Sequence, residues 1–366
     1  MQFSITREAL LKPLQFTAGV VDRKQTMSVL SNLLFVVADG RLAVTATDLE
    51  IEMVAYTTVI DGDEGAVTLP ARKFADICRM LPEGAKIQIT TEGERAIVKS
   101  ARSRFVLGTL PAEDYPNLEL ATQGVECKIG PTVLRKLIEQ TQFAMAQQDV
   151  RYYLNGLLFE VQPGVVRAVA TDGHRLALCE IKEDIKIKEN QQVIIPRKGV
   201  LELLKLLGDS DEPVSLQLTS NHIRVSTKEL TFTSKLIDGR FPDYQRVVPQ
   251  GGDKIVVAER ELLRQALGRI SILCNERYRS VKFQLEPGVM RVLATNPEQE
   301  EAEEEVTVDY NGAQLEIGFN ASYVLEALSA IKENDVKMIL TDANSCCLIR
   351  GLSDDSSKYV VMPMRL

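Results

Sequence analysis

The sequence predicts an α+β fold made of three copies of one domain. Two observations carry that prediction: short motifs recur at a constant offset, and each copy repeats the same succession of helical and alternating apolar periods. The length of 366 residues agrees, since it exceeds one ordinary core and suits two or three domains of about 100 to 200 residues each. The recurring motif reads Val44-Thr45-Ala46-Thr47-Asp48, Val169-Ala170-Thr171-Asp172 and Leu293-Ala294-Thr295-Asn296, which places Ala46, Ala170 and Ala294 at two steps of 124. Just upstream, Gly40, Gly164 and Gly288 repeat at the same two steps. Internal repeats of this kind are the first thing to look for in a chain of this length.

Each copy opens on a helical segment. It begins near Thr6, Thr132 or Glu259 and carries Leu10-Leu11-Lys12, Val133-Leu134-Arg135 or Leu262-Leu263-Arg264. A kink is expected in the first of these at Pro13, which lacks a donor for the helix ladder. A hairpin follows, because alternating apolar runs flank each glycine: Leu33 to Val37 with Leu42 to Val44, Leu157 to Val161 with Val165 to Val169, and Val281 to Leu285 with Val289 to Leu293. The next segment is helical in all three copies. Phe74, Ile77, Cys78 and Leu81 match Val200, Leu203, Leu204 and Leu207, and then Val324, Ala327, Leu328 and Ile331, at the spacing of one helix face. Each copy closes on strands, the last holding Phe105, Phe232 or Tyr359 at two steps of 127. The domain boundaries expected from this spacing give 1–122, 123–252 and 253–366. Equal spacing without insertions suits copies that must match geometrically, as in a closed ring.

Composition narrows the function. The formal charge of −8 argues at first against nucleic acid, but the charge is not evenly spread. The predicted helices 5–20, 71–80, 131–146, 197–207, 259–274 and 321–332 carry +1, +2, +1, +2, +1 and 0, a total of +7 that leaves −15 on the rest. A basic helical surface on an acidic chain fits sequence-independent contact with phosphates. Opposite charge clusters also stand at the two ends of the chain. Arg95, Lys99, Arg102 and Arg104 surround Phe105 and Leu107 in the first copy, and Asn296 to Glu305 holds six glutamates in the third, among them Glu298, Glu300, Glu301 and Glu304. Head-to-tail pairing of two chains would join these clusters twice, with Ile272 and Leu273 packing on Phe105, and would close a six-domain ring with helices inside and sheets outside.

Other functions find no support in the sequence. Cys78, Cys127, Cys179, Cys274, Cys346 and Cys347 show neither a CxxC pair nor ligand spacing with His174 or His222, so they read as small apolar residues and no metal is expected. No apolar run approaches the roughly 18 residues of a membrane span, and the start Met1-Gln2-Phe3-Ser4 lacks the pattern of a secretory signal. A cytoplasmic protein is expected. Asp172-Gly173-His174-Arg175 could suggest acid–base chemistry, but its counterparts Asp48-Leu49-Glu50-Ile51 and Asn296-Pro297-Glu298-Gln299 hold no histidine. No nucleophile lies at useful spacing either, and nucleotide-binding glycine motifs are absent. No catalytic residue and no cofactor are expected.

Several stretches resemble one family end to end: Gln148-Asp149-Val150-Arg151-Tyr152-Tyr153-Leu154-Asn155-Gly156, Ala170-Thr171-Asp172-Gly173-His174-Arg175-Leu176, Asp238-Gly239-Arg240-Phe241-Pro242-Asp243-Tyr244, the acidic run from Asn296, and Tyr359-Val360-Val361-Met362-Pro363-Met364-Arg365-Leu366. The chain is similar to the beta subunits of bacterial DNA polymerase III, the sliding clamps. The resemblance implies a homodimeric ring around duplex DNA, opened by a separate ATP-driven loader, that catalyses nothing and is nucleoid-associated during replication. It also implies partners that dock through a cleft: the replicative polymerase alpha subunit, the clamp loader delta subunit, other DNA polymerases, and mismatch-repair or replication-initiation regulators. DNA contacts carry over to Arg23 or Lys24, Arg72, Gln148, Tyr152 and Tyr153. This chain reads Arg23-Lys24-Gln25-Thr26-Met27 where the family commonly has arginine followed by a proline-rich segment. If Tyr152 and Tyr153 lie on a strand, at most one of them is buried. The cleft carries over to Leu154, Thr171, Gly173, His174, Arg175 and Leu176, to Pro242, Arg246 and Val247, to Asn320 and Tyr323, and to Val360, Met362, Pro363, Met364 and Arg365. Unbranched methionines suit a pocket shared by many ligands.

Overall fold

The computed structural model describes residues 1–21, 27–118, 124–207, 212–275 and 277–365. Two compact units emerge from its contacts, residues 1–131 with 201–236, and residues 132–200 with 237–366. The division falls inside the second copy because the sheets run from one copy into the next.

The three hairpins form where the glycines predict them. Asn32–Ala38 pairs with Arg41–Thr47, Gly156–Gln162 with Val165–Thr171, and Ser280–Glu286 with Val289–Thr295. Gly40, Gly164 and Gly288 all take positive φ, at +69°, +77° and +79°. That conformation needs a residue without Cβ. In the first turn Asp39 shares it at +49°, the pattern of a primed hairpin turn. Six helices lie among the described residues: α1 Arg7–Ala18, α2 Ala71–Met80, α3 Pro131–Glu139, α4 Arg197–Leu206, α5 Arg260–Ile270 and α6 Ala321–Ala330. Thr6 caps α1, its hydroxyl accepting the Ala9 N–H at 3.3 Å. α1 runs through Pro13 without a break in its assignment. α3 differs from expectation: Pro131 is its first residue and Thr132 lies inside the first turn, since proline's fixed φ and missing N–H suit that position. α2 buries Phe74, Ala75 and Cys78, and Phe74 meets Phe35 of the first hairpin edge to face at 5.3 Å.

Among the described residues the strands assemble into two sheets in each unit. In the first unit an eight-stranded sheet runs Val125–Ile129, Val214–Leu218, His222–Ser226, Leu230–Lys235, Ile51–Thr58, Arg41–Thr47, Asn32–Ala38 and Gly65–Pro70. Its midpoint is an antiparallel pairing of the second copy with the first, Phe232 opposite Met53. The second unit repeats this arrangement, with Ser357–Val361 of the third copy paired to Arg175–Lys182 of the second and Tyr359 opposite Ala177. The remaining sheets end on free edges among the described residues. Ser103–Gly108 pairs only with Arg95–Ser100, and Glu301–Thr307 only with Val289–Thr295.

Candidate binding cleft and charged surfaces

A cavity of about 200 Å³ opens in the second unit, lined by Arg151, Tyr153, Leu154, Thr171, Gly173, Arg175, Leu176, Pro242, Tyr244, Val247, Val360 and Met362. The strand pairing builds it. Leu176 stands opposite Val360, and the Met362 N–H donates to the His174 carbonyl at 2.9 Å, which ties the end of the chain to the Thr171–Arg175 turn. Asp172 holds that turn: its carboxylate accepts the N–H groups of His174 at 2.9 Å and Arg175 at 3.0 Å, and Nε of Arg175 at 3.1 Å. The carboxylate of the would-be catalytic tetrad is therefore occupied in turn geometry. Gly173 sits at φ +89°, and a Cβ there would come within 3.0 Å of the Arg151 guanidinium.

Arg175 lines the cavity while its guanidinium is spent behind it. It donates to the Phe143 carbonyl at 2.7 Å, pairs with Glu326 of α6, and lies over the rings of Tyr323 at 4.5 Å and Phe143 at 5.4 Å. Tyr244 is held by a second ion group, of which Glu160 is buried. On three neighbouring strands Glu160, Arg167 and Glu180 stand opposite one another. Arg167 donates to Glu160 at 2.8 Å, to Glu180 at 2.8 Å and to the Tyr244 hydroxyl at 2.8 Å, and that hydroxyl donates to Glu160 at 2.6 Å. Burial and the Glu160 charge raise the Tyr244 pKa, so the phenol keeps its proton. Below these lies an apolar cluster that includes Leu154, Leu158, Val169, Leu176, Phe241 and Val360.

Nine of the residues assigned to the cleft from the sequence line the cavity. The other seven stand outside its lining. His174 and Arg365 are exposed, Arg246 is exposed and paired with Asp243 at 2.9 Å, and Asn320 caps α6 by accepting the Ser322 N–H at 2.9 Å. Tyr323 supports Arg175, Pro363 is half-buried, and the Met364 N–H bonds the Gly318 carbonyl at 2.8 Å. Arg151, Tyr153 and Tyr244 were not foreseen as lining residues, and the resemblance assigns Tyr153 to DNA contact. The matched Glu160, Arg167 and Glu180 were the available signal for Tyr244, but only the strand register brings them together. Cys346 packs at the edge of the cluster, its thiol 3.8 Å from the Val247 carbonyl.

The stretch from Gln148 places Tyr152 and Tyr153 on a turn and not on a strand. Tyr152–Leu154 is a 3₁₀ turn, because Asp149 accepts the Arg151 N–H at 2.8 Å and binds its guanidinium, and the Asn155 amide donates to the Asp149 carbonyl at 2.9 Å. The Arg151 hydrogen bonds hold the Asp149 pKa down to about 2. Gln148 is exposed at φ +55° and Tyr152 is 57% exposed, whereas Tyr153 turns into the cavity. The two rings meet edge to face at 5.7 Å.

The basic helix residues divide into two groups. Lys12, Arg79, Lys136, Lys205, Arg264 and Arg269 are engaged by carboxylates of the same chain. Arg72 and Lys73, exposed at the start of α2, have no such partner among the described residues. Arg23 and Lys24 lie outside the described residues. On the free edges, Arg95, Lys99, Arg102 and Arg104 are exposed, Phe105 is half-buried and Leu107 is buried. Lys99 stands directly opposite Arg104. On the other edge Glu301, Glu303 and Glu305 point one way, and Arg291 pairs with Glu305 at 2.8 Å. Glu304 points the other way, bonded by Arg269 of α5 at 2.9 Å. Glu298 and Glu300 are exposed in the preceding turn, Ile272 is 78% exposed, and Leu273 is half-buried.

Family models of the DNA polymerase III beta subunit match along the chain: the N-terminal domain at residues 1–119, the central domain at 128–243 and the C-terminal domain at 245–365. The beta sliding clamp of Pseudomonas putida is 54% identical over 367 residues, with 100% of both chains covered. The DNA polymerase III subunit beta of Pseudomonas aeruginosa has a solved structure that superimposes with a TM-score of 0.98 at 54% identity, again over 100% of both chains. A P. aeruginosa sliding clamp bound to griselimycin matches with a TM-score of 0.97 at 54% identity, over 100% of both chains.

Proposed function

The chain belongs to the family of bacterial DNA polymerase III beta subunits, the beta sliding clamps, and on that premise we propose how its residues carry out the clamp's work. The protein is a non-catalytic processivity factor of DNA replication. The observation that carries the residue-level reading is the repeated strand junction. Second copy joins first through Phe232 opposite Met53, third joins second through Tyr359 opposite Ala177, and the strands left over are the counterparts of those two sides.

Two chains therefore close the ring by making the missing junction twice. Ala46, Ala170 and Ala294 face Met53, Ala177 and Ala302 in their hairpins, so Ala302 is the counterpart of Met53 and Ala177. Phe105 then meets Ala302 of the partner subunit, and Arg104 meets Glu303 of the partner subunit. The like-charged pair Lys99 and Arg104 is unfavourable in an isolated strand pair, and a glutamate-bearing strand alongside offsets it. Exposed Ile272, beside Leu273, extends this interface. The units of repetition remain 1–122, 123–252 and 253–366.

Duplex DNA is held through phosphates by Arg72 and Lys73 in the first unit, with Gln148 and Tyr152 contributing from the second and Arg23 or Lys24 from the segment after α1. The second-unit cavity takes short apolar segments of the polymerase alpha subunit, the loader delta subunit, other polymerases and repair or initiation regulators. Support comes from its apolar floor, the adaptable Met362 at its mouth, and the existence of griselimycin-bound relatives. The protein works in the cytoplasm, and no helix among its described residues is long and apolar enough to cross a membrane. Retention on circular against linear DNA tests the reading: a closed ring stays on the circle and slides from free ends, and equal loss from both would overturn it.

A further inference from the structure

A second and larger cavity, about 830 Å³, lies wholly within the unit of residues 1–131 and 201–236. Its floor is apolar and buried: Leu203 and Leu207 at the end of α4, and Val214, Val225, Leu230 and Phe232 from three strands. Its rim is basic. Lys12, Lys128, Lys205 and Lys228 line it against two carboxylates, Glu212 and Glu229. Lys12 is paired with Glu229 at 2.5 Å, Lys228 with Glu212 at 3.1 Å and Lys205 with Glu202 at 2.7 Å. Lys128 is exposed and has no partner among the described residues, so the described part of the rim retains one unmatched positive charge. A volume of this size falls in the range of about 300–1,000 Å³ typical of small-molecule sites.

The internal repeat supplies a comparison within the same chain. In the other unit the matching place is built by α3 with the residues after it and by the strand Ser357–Val361. The correspondence is close: Thr17 and Thr141 both donate to the carbonyl four residues back, at 2.9 and 2.6 Å, and Lys136 reaches Ser356 at 3.2 Å as Lys12 reaches Glu229. In that copy the space is filled. Gln140 donates to the Ala330 carbonyl at 2.8 Å and accepts from the Tyr359 hydroxyl, and the Phe143 ring packs on Tyr359 at 5.8 Å. In the first copy Phe232 stands in place of Tyr359 without a hydroxyl, and Gly19 stands in place of Phe143. Gly19 brings no side chain to the hollow, and a Cβ there would displace the Glu202 carboxylate, which lies 2.4 Å away. An apolar space left open forfeits packing that the other copy makes.

We propose that this cavity binds an amphipathic anion of the long-chain carboxylate class, its apolar body on the Leu203–Phe232 floor and its head at Lys128. The occupant packs against α1 and the strands of the second copy together. The test uses the full-length protein and isothermal titration calorimetry with decanoate below its micellar range, and with decyltrimethylammonium as a probe of the same length and opposite charge. Decanoate saturates one site per chain, and the cation binds at least tenfold more weakly. Lys128→Glu lowers decanoate affinity at least tenfold; the exposed position keeps the fold, which an unchanged thermal midpoint verifies, and Lys128→Gln gives a smaller loss. Ser226→Trp fills the cavity and removes decanoate binding. Failure to saturate, equal binding of the cation, or decanoate affinity unchanged in folded Ser226→Trp would each overturn the proposal.

Discussion

Tyr244→Phe isolates the role of the ion group behind the cleft. The substitution keeps the ring that forms the cavity wall and deletes only the hydroxyl. Tyr244 is 6% exposed, and that hydroxyl both donates to Glu160 at 2.6 Å and accepts from Arg167 at 2.8 Å. A hydrogen bond to a charged partner contributes about 1.5–3 kcal/mol. Glu160 keeps Gln192 at 2.6 Å, and Arg167 keeps Glu180 at 2.8 Å, so neither ion loses its last partner and the cost falls near the lower end, about 2 kcal/mol. The N–H groups of Val247 and Val248 donate to the Tyr244 carbonyl at 3.0 and 3.2 Å, which makes them local reporters. Opening easier by about 2 kcal/mol lowers their hydrogen-exchange protection roughly 30-fold, and affinity for a polymerase-derived peptide falls with it because Val247 lines the same wall. Protection within twofold of the parent protein would refute the reasoning.

Three further substitutions test separate parts of the reading. Gly173→Ala forces a side chain into φ +89° and against Arg151 at 3.0 Å; a loss of about 1–3 kcal/mol in unfolding free energy and weaker peptide binding are expected, and an unchanged peptide affinity would detach the turn from the cleft. Burial raises the pKa of Glu52 more than the Leu118 N–H and Arg224 lower it, so the folded state binds that proton more tightly than the unfolded state. The stability this gives is present at low pH and is lost as pH rises through the raised value. Glu52→Gln keeps an acceptor for the Leu118 N–H, at 3.0 Å in the parent. Its thermal midpoint should match or exceed the parent's at pH 7.5, with the advantage vanishing near pH 4; a lower midpoint at pH 7.5 would show that the Arg224 attraction outweighs desolvation. Arg104→Glu should turn the dimer into monomer by sedimentation velocity at micromolar concentration, and adding Glu303→Arg should restore it. A double variant that stays monomeric would reject the Arg104–Glu303 register.

The sequence by itself determined the three copies, the hairpins turning at Gly40, Gly164 and Gly288, and the helix faces led by Phe74, Val200 and Val324. These features are local: glycine's freedom at positive φ and the periods of helix and strand act over a few residues, and repetition at 124 made each one visible three times. Nine cleft positions were legible through resemblance rather than through periodicity. Tertiary structure alone decided which strands join across copies, and hence which edges remain free. It placed Tyr153 in the cavity by way of the Asp149 turn, bonded Glu304 to Arg269, set Arg175 over the rings of Phe143 and Tyr323, and set Tyr244 on the Glu160–Arg167 pair. Each of these contacts except the Asp149 turn joins residues 30 or more apart in the chain. Burial and strand register, which no local pattern specifies, choose the partner there, and the same register filled one of two matched hollows while leaving the other open.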